Sequence, residues 1–88
     1  MYPDRSDCNN AGIEFVLIDL DVAVTFMDVA AVSRLQETID RNHKNARHAY
    51  DSVLRLLRNL RPDAAQRGAI DRKITVLKAR LEAVGVEF

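Results

Sequence analysis

The chain has 88 residues, which is enough for one domain with a single core and too short for two. Its composition, 48% apolar and 30% charged, is typical of a folded globular protein and excludes a disordered chain. Thirteen basic and thirteen acidic residues cancel, so the net charge gives no global attraction to nucleic acid or to an anionic membrane. Only three glycines and two prolines occur, which favours an all-α protein over a sheet built on regular turns.

The first ten residues are polar and contain Pro3. They predict a flexible leader over 1–10 that ends at two candidate helix caps, Asn9 and Asn10. This segment has neither the basic start nor the apolar centre of a secretory signal. The one cysteine, Cys8, cannot close a disulfide within the chain. We therefore expect a cytoplasmic protein.

Helix one is predicted over about 11–32, in a segment that is mostly apolar and has no lysine or arginine. Its polar positions Glu14, Asp21, Thr25 and Asp28 fall at spacings of seven, four and three, which places them on one narrow stripe. Apolar residues therefore cover more than half of the helix circumference. A membrane span is not expected, because each aspartate would cost roughly 2.5 to 3.5 kcal/mol at a bilayer centre.

Helix two is predicted over about 34–61. Ser33 and Gln36 have the spacing of a capping box, which marks a new helix start. The apolar residues that follow recur at steps of three and four, and Asn42 falls on the same stripe. We expect Asn42 to be buried, where a polar side chain fixes helix register. Tyr50 is expected to anchor the core with its hydroxyl at the rim.

Helix three is predicted over about 63–84. Pro62 cannot continue helix two, and Asp63 with Gln66 forms a second candidate capping box. The apolar residues of this helix recur at four, three, four and three, and Gly85 is the type of residue that ends a helix.

Short connections between three helices force neighbouring helices to run antiparallel. The sequence therefore predicts an up-down-up three-helix bundle, formed by a single helical domain over 11–88. Helix one offers more apolar surface than such a bundle needs, and a large apolar patch left on a surface marks an interaction site. We expect a homodimer through helix one, with another protein or a peptide as the alternative partner. A further alternative is a monomer in which helix two covers the excess. The predicted interface residues are Val16, Ile18, Val22, Phe26 and Val29.

A resemblance to known proteins lies in the segment 45–57. The spacing of Ala46, Tyr50, Val53 and Leu54 resembles the second helix of a tetratricopeptide-type hairpin. The run that starts at Asn45 is also similar to one found in a loose group of small, mostly uncharacterised bacterial helical proteins. The resemblance implies a hairpin that binds a peptide or protein partner, and it carries over no catalytic residue.

No motif indicates a catalytic, cofactor or metal site, and we predict that the protein is not an enzyme. His43 and His48 are five residues apart, about 140° around a helix, so they cannot hold one ion from one helix face. We expect both histidines to be half-exposed polar positions, and the sequence assigns them no role.

The basic residues of helix two support an alternative function, because a basic strip on a helix can bind phosphates. Asp40 and Asp51 interrupt this strip, and Tyr50 is expected in the core rather than beside it. The sequence therefore predicts a non-catalytic helical module for protein interaction or oligomerisation, with a nucleic-acid-binding accessory protein as the alternative. The candidate phosphate-binding residues are Arg41, Lys44, Arg55 and Arg58.

Overall fold

A computed structural model describes the backbone of residues 5–88 and the side chains of residues 7–88. Its elements are α1 (Arg5–Val32), α2 (Gln36–Leu57) and α3 (Ala64–Ala83), and no strand occurs over the described range. Contacts near the start of α1 reach the chain just after α2, so these two helices are antiparallel. Ion pairs that connect α1 to α3 advance in the same direction along both helices, so these two are parallel. The predicted all-α, up-down-up bundle is confirmed.

α1 begins at Arg5, well before the predicted start of helix one. The predicted helix start near residue 11 is therefore wrong, and residues 1–4 of the predicted leader lie outside the described residues. A tertiary contact explains the difference. The side-chain amide of Asn9 donates to the carbonyl of Arg61 at 3.0 Å, and the Asn9 side-chain oxygen accepts from the backbone N–H of Arg61 at 2.7 Å. Asn9 thus anchors the first turns of α1 and does not cap the helix.

The turn between α1 and α2 does not contain the predicted capping box. α2 begins at Gln36, and Leu35 holds the N-cap position without a side-chain cap. The Gln36 side chain donates instead to Asp40 at 2.8 Å, so it cannot reach back to the turn. The Ser33 hydroxyl accepts from the N–H of Leu35 at 3.3 Å, and the Ser33 N–H donates to the Ala30 carbonyl. Ser33 therefore closes the turn that follows α1.

The connection between α2 and α3 begins earlier than predicted, because α2 ends at Leu57 rather than near residue 61. The N–H groups of the next residues bond back over three residues, which tightens the chain before Pro62. The predicted capping box of α3 is confirmed. The Gln66 N–H donates to the Asp63 carboxylate at 2.8 Å, and the Asp63 N–H donates to the Gln66 side-chain oxygen at 2.9 Å.

The core forms around α1, which packs against both other helices, while α2 and α3 touch each other less. Asn42 and Tyr50 are buried, as predicted. The side-chain amide nitrogen of Asn42 donates to the Thr38 carbonyl at 2.8 Å, so this buried nitrogen has a hydrogen-bond partner. The buried residues of α1 recur at steps of three and four and define its core stripe: Ile13, Val16, Leu20, Ala23, Met27 and Ala30.

Candidate interaction surface

α1 carries a second row of residues at the same alternating spacing of three and four. Every member is exposed, and the row lies opposite the core stripe because it is offset from it by two residues, or about 200°. Ile18 is 62% exposed and Phe15 is 55% exposed, so the largest side chains of the row face outward. We call this row the outer face: Cys8, Ala11, Phe15, Ile18, Val22, Thr25, Val29 and Val32.

The predicted interface residues divide between the outer face and the interior. Ile18, Val22 and Val29 lie on the outer face. Val16 does not, because it is fully buried on the core stripe, and its inclusion in an exposed face is wrong. Phe26 is half-buried and packs against the core from the edge of the outer face.

Sequence reasoning missed other members of the outer face. Phe15 and Val32 are exposed and were absent from the predicted interface, as were Cys8 and Ala11. The signal that could have identified them is the strict three-four spacing, which separates two stripes on a helix that is apolar over more than half of its circumference.

An acidic row borders the outer face on the side that faces α3. Its members recur every seven residues, and α3 supplies counter-charges to two of them. The Lys73 ammonium lies 2.5 Å from the Asp21 carboxylate, and the Arg80 guanidinium lies 2.6 Å from that of Asp28. These pairs are largely solvent-exposed, so each contributes only about 0 to 1 kcal/mol to stability. The acidic row consists of Asp7, Glu14, Asp21 and Asp28.

The four candidate phosphate-binding residues all lie exposed on α2 or just after it. Arg41 and Lys44 share a shallow surface recess with the two acids Glu37 and Asp40. Farther along the helix, Arg47 pairs with Asp51 at 3.2 Å and separates the first two basic residues from Arg55 and Arg58. The structure therefore places these residues as two separate pairs with Asp51 between them, and does not bring them together as one patch.

The described part of the chain contains neither a group of metal-ligand residues nor a helix that could cross a membrane. His43 is half-buried and His48 is exposed. Among the side chains of residues 7–88, no group of three His, Cys, Asp or Glu residues could hold a metal ion. None of the helices that the structure describes has the length and apolar character needed to cross a membrane.

The chain after α3 turns sharply at Gly85, which has a positive φ of 94°. The N–H of Val86 donates to the Leu81 carbonyl at 3.0 Å, and the N–H of Gly85 donates to the Glu82 carbonyl at 3.0 Å. These two bonds form a Schellman motif, which satisfies carbonyls at the end of the helix and requires a left-handed residue. The turn directs residues 86–88 back toward α2.

Phe88 then packs against α2 in an arrangement that we call the aromatic clamp. The Arg47 guanidinium lies 4.0 Å from the Phe88 ring centre, and the Lys78 ammonium lies 5.3 Å from it. The Tyr50 ring meets the Phe88 ring edge-on, with centroids 4.9 Å apart. Arg47 also donates to the Glu87 carbonyl at 2.9 Å. The clamp consists of Arg47, Tyr50, Lys78 and Phe88, and it adds a link between α2 and α3 where direct helix contact is sparse.

Replacing Gly85 with alanine is expected to destabilise the protein by about 1 to 2 kcal/mol, because an alanine in the left-handed region carries a steric penalty of that size. The free energy of unfolding in urea gives the loss, and the NMR signals of the Phe88 ring report whether the clamp detaches. Gly68→Ala is the matched control. Gly68 lies within α3, where alanine is favoured by about 1 kcal/mol. If both substitutions change the free energy of unfolding in the same direction, the role assigned to the turn at Gly85 is contradicted.

No protein-family model, curated protein or solved structure matches this chain. The resemblance to a tetratricopeptide-type hairpin and to small bacterial helical proteins therefore stays a prediction. The surface features of the described chain that bear on function are the outer face of α1, the acidic row beside it and the basic residues of α2.

Proposed function

We propose that this chain is a non-catalytic oligomerisation module in which the outer face of α1 packs against the same face of a second copy. The observation that carries the proposal is the outer face itself, whose residues recur at alternating steps of three and four as in a heptad repeat. One stripe is enough to bury the helix against α2 and α3, and that role belongs to the core stripe. A sustained three-four spacing of apolar residues on the opposite, exposed side is typical of a coiled-coil seam.

The extent of the outer face supports a stable pairing. From Cys8 to Val32 it runs along about 36 Å of helix. Apolar area removed from water contributes about 25 cal/mol per Å², from which the cost of association must be subtracted. A closed two-fold dimer presents the same surface from both chains, so one face serves both sides of the interface. An exposed free thiol at Cys8 fits the expected cytoplasmic setting.

The alternatives have weaker support. A peptide or another protein could occupy the same face, as the hairpin resemblance implies, and would use the same apolar contacts. Nucleic-acid binding stays a prediction without a specific structural observation in its favour, because two acids lie beside the first basic pair and Asp51 lies between the two pairs.

The test is the substitution Ile18→Glu, which places a carboxylate in the middle of the outer face. We expect the dimer to weaken by at least about 30-fold, since loss of a central interface contact typically costs about 2 kcal/mol or more. The helical circular dichroism should be retained, because Ile18 is 62% exposed in the single chain. Sedimentation equilibrium across a concentration series measures the association constants of the wild-type protein and of the Ile18→Glu variant.

Leu56→Glu is the matched control, because Leu56 is an exposed apolar residue (40%) that lies on α2, away from the outer face. It should leave the dimer unchanged. A wild-type protein that stays monomeric at high micromolar concentration would overturn the proposal, and so would equal weakening by both substitutions.

A further inference from the structure

We infer that the start of α1, over residues 5–12, is a conditional part of the helix, which forms because Asn9 holds it against the connection between α2 and α3. We call residues 5–12 the α1 extension. The extension supplies the first part of the outer face, so Asn9 is a positioning residue for the interface. This role in pairing rests on the proposed function, whereas the contact that Asn9 makes does not.

The α1 extension has little support of its own. Its residues include serine, aspartate, two asparagines and glycine, which are all weak helix formers. The core stripe starts only at Ile13, and none of the residues described over 7–12 is buried. Neither intrinsic propensity nor burial of apolar surface therefore explains why the helix begins at Arg5.

Asn9 continues the core stripe by one more step, because it lies four residues before Ile13. There it meets Arg61, which belongs to neither α2 nor α3, so that its peptide groups lack the partners that a helix supplies. The Asn9 side chain donates to the Arg61 carbonyl at 3.0 Å and accepts from the Arg61 N–H at 2.7 Å. One side chain thus satisfies both groups and ties the α1 extension to the connection.

Gly12 allows the two segments to come close. A Cβ atom at this position would lie 2.6 Å from a methyl carbon of Leu60, which is inside van der Waals contact. Leu60 in turn packs against the core. Asn9 and Gly12 are three residues apart and so lie on one side of the helix. The α1 extension therefore meets the connection along one face, through a polar and an apolar contact.

Docking of the α1 extension sets the length of the outer face. From Phe15 to Val32 the outer face runs along about 26 Å of helix, and Cys8 with Ala11 extends it to about 36 Å. When the contact between Asn9 and Arg61 opens, the extension loses its support and the outer face shortens by about 10 Å. A connection that lies outside the outer face thereby controls how much surface a second copy can cover.

The experiment compares Asn9→Ala with the matched control Asn10→Ala. Both variants replace an asparagine of the α1 extension with alanine, so both change helix propensity equally. Asn9 bonds to Arg61, whereas Asn10 is exposed. Amide hydrogen exchange at residues 9–12 is measured in the Ile18→Glu background, which keeps the protein monomeric. We expect Asn9→Ala to lower the protection there at least about fivefold relative to Asn10→Ala, because two hydrogen bonds are lost.

The amide of Leu20, in the core stripe, should keep its protection, because the loss is confined to the α1 extension. Equal protection of residues 9–12 in the two variants would overturn the inference. So would an absence of protection at these residues before either substitution, or a loss of the same size at Leu20.

A second measurement connects the Asn9 contact to the interface. With Ile18 retained, sedimentation equilibrium gives the dissociation constant of the dimer for each asparagine variant. This constant should be severalfold higher for Asn9→Ala than for Asn10→Ala, because each chain must form the α1 extension before its full outer face can pair. Equal constants would overturn the positioning role of Asn9. A monomeric wild-type protein would overturn the proposed function, while hydrogen exchange would still decide whether Asn9 holds the extension.

Discussion

Replacing Tyr50 with alanine is expected to lower the free energy of unfolding by about 3 to 5 kcal/mol, as truncation of large buried aromatic residues does. Tyr50 lies on α2, is only 7% exposed and belongs to the hydrophobic core cluster that all three helices form. Its ring also supports Phe88 edge-on, so its removal opens a cavity and loosens the aromatic clamp together. In a small domain with a typical total of 5 to 15 kcal/mol, such a loss brings the protein close to unfolding.

Denaturant titration measures this loss, and Tyr50→Phe is the control. Phenylalanine keeps the ring that packs on the core and on Phe88 and removes only the hydroxyl, so most of the stability should be retained. A loss below about 1 kcal/mol for Tyr50→Ala would be the size expected of a surface position, and would contradict the role of Tyr50 in the core.

Leu20→Ala is the second substitution for which we expect a large effect, a loss of about 2 to 5 kcal/mol. Leu20 is fully buried in the core stripe, on the helix that packs against both others. Truncation therefore leaves a cavity in the centre of the bundle, which the surrounding side chains can fill only in part.

The matched control is Leu35→Ala, the same chemical change at a residue that is 69% exposed. Its effect on stability should stay within about 0.5 kcal/mol, as is usual for surface positions. Urea unfolding of both variants at one protein concentration gives the comparison. Similar losses at the two positions would show that Leu20 is not the packing centre inferred here.

Of the two capping boxes predicted from local spacing, one forms and the other does not. The capping box of Asp63 and Gln66 is a local motif, and its two hydrogen bonds form as predicted. The same pattern at Ser33 failed because Gln36 has a nearby competitor in Asp40. Spacing alone does not show whether a glutamine side chain will turn back to accept from the N-cap N–H or turn forward to donate to a carboxylate one helical turn later.

Features that depend on distant contacts could not be predicted. The first turns of α1 are fixed by a contact between Asn9 and Arg61, which are 52 residues apart. The aromatic clamp joins Arg47 to a carbonyl 40 residues later, and it needs the left-handed turn at Gly85 to bring the chain back.

The candidate site was predicted in part, because helix one carries apolar residues on two opposite sides. Composition identifies the excess apolar surface of helix one, and Ile18 and Val22 were correctly placed on its exposed side. Nothing local tells Val16 from Ile18, since both are β-branched and apolar. Only the packing of α2 and α3 decides which stripe is covered, and that choice places Val16 in the core.

The ion pairs between α1 and α3 couple the local opening of α3 to the association of two copies through the outer face. When α3 opens locally, Lys73 and Arg80 leave, and Asp21 and Asp28 then border the outer face without their counter-charges. Opening of α3 therefore makes that border more acidic and disfavours the approach of a second acidic helix. Thermodynamic reciprocity requires the converse, so occupation of the outer face strengthens the docking of α3 by the same free energy. In the proposed dimer, protein concentration would thus set the local stability of a helix that lies outside the interface.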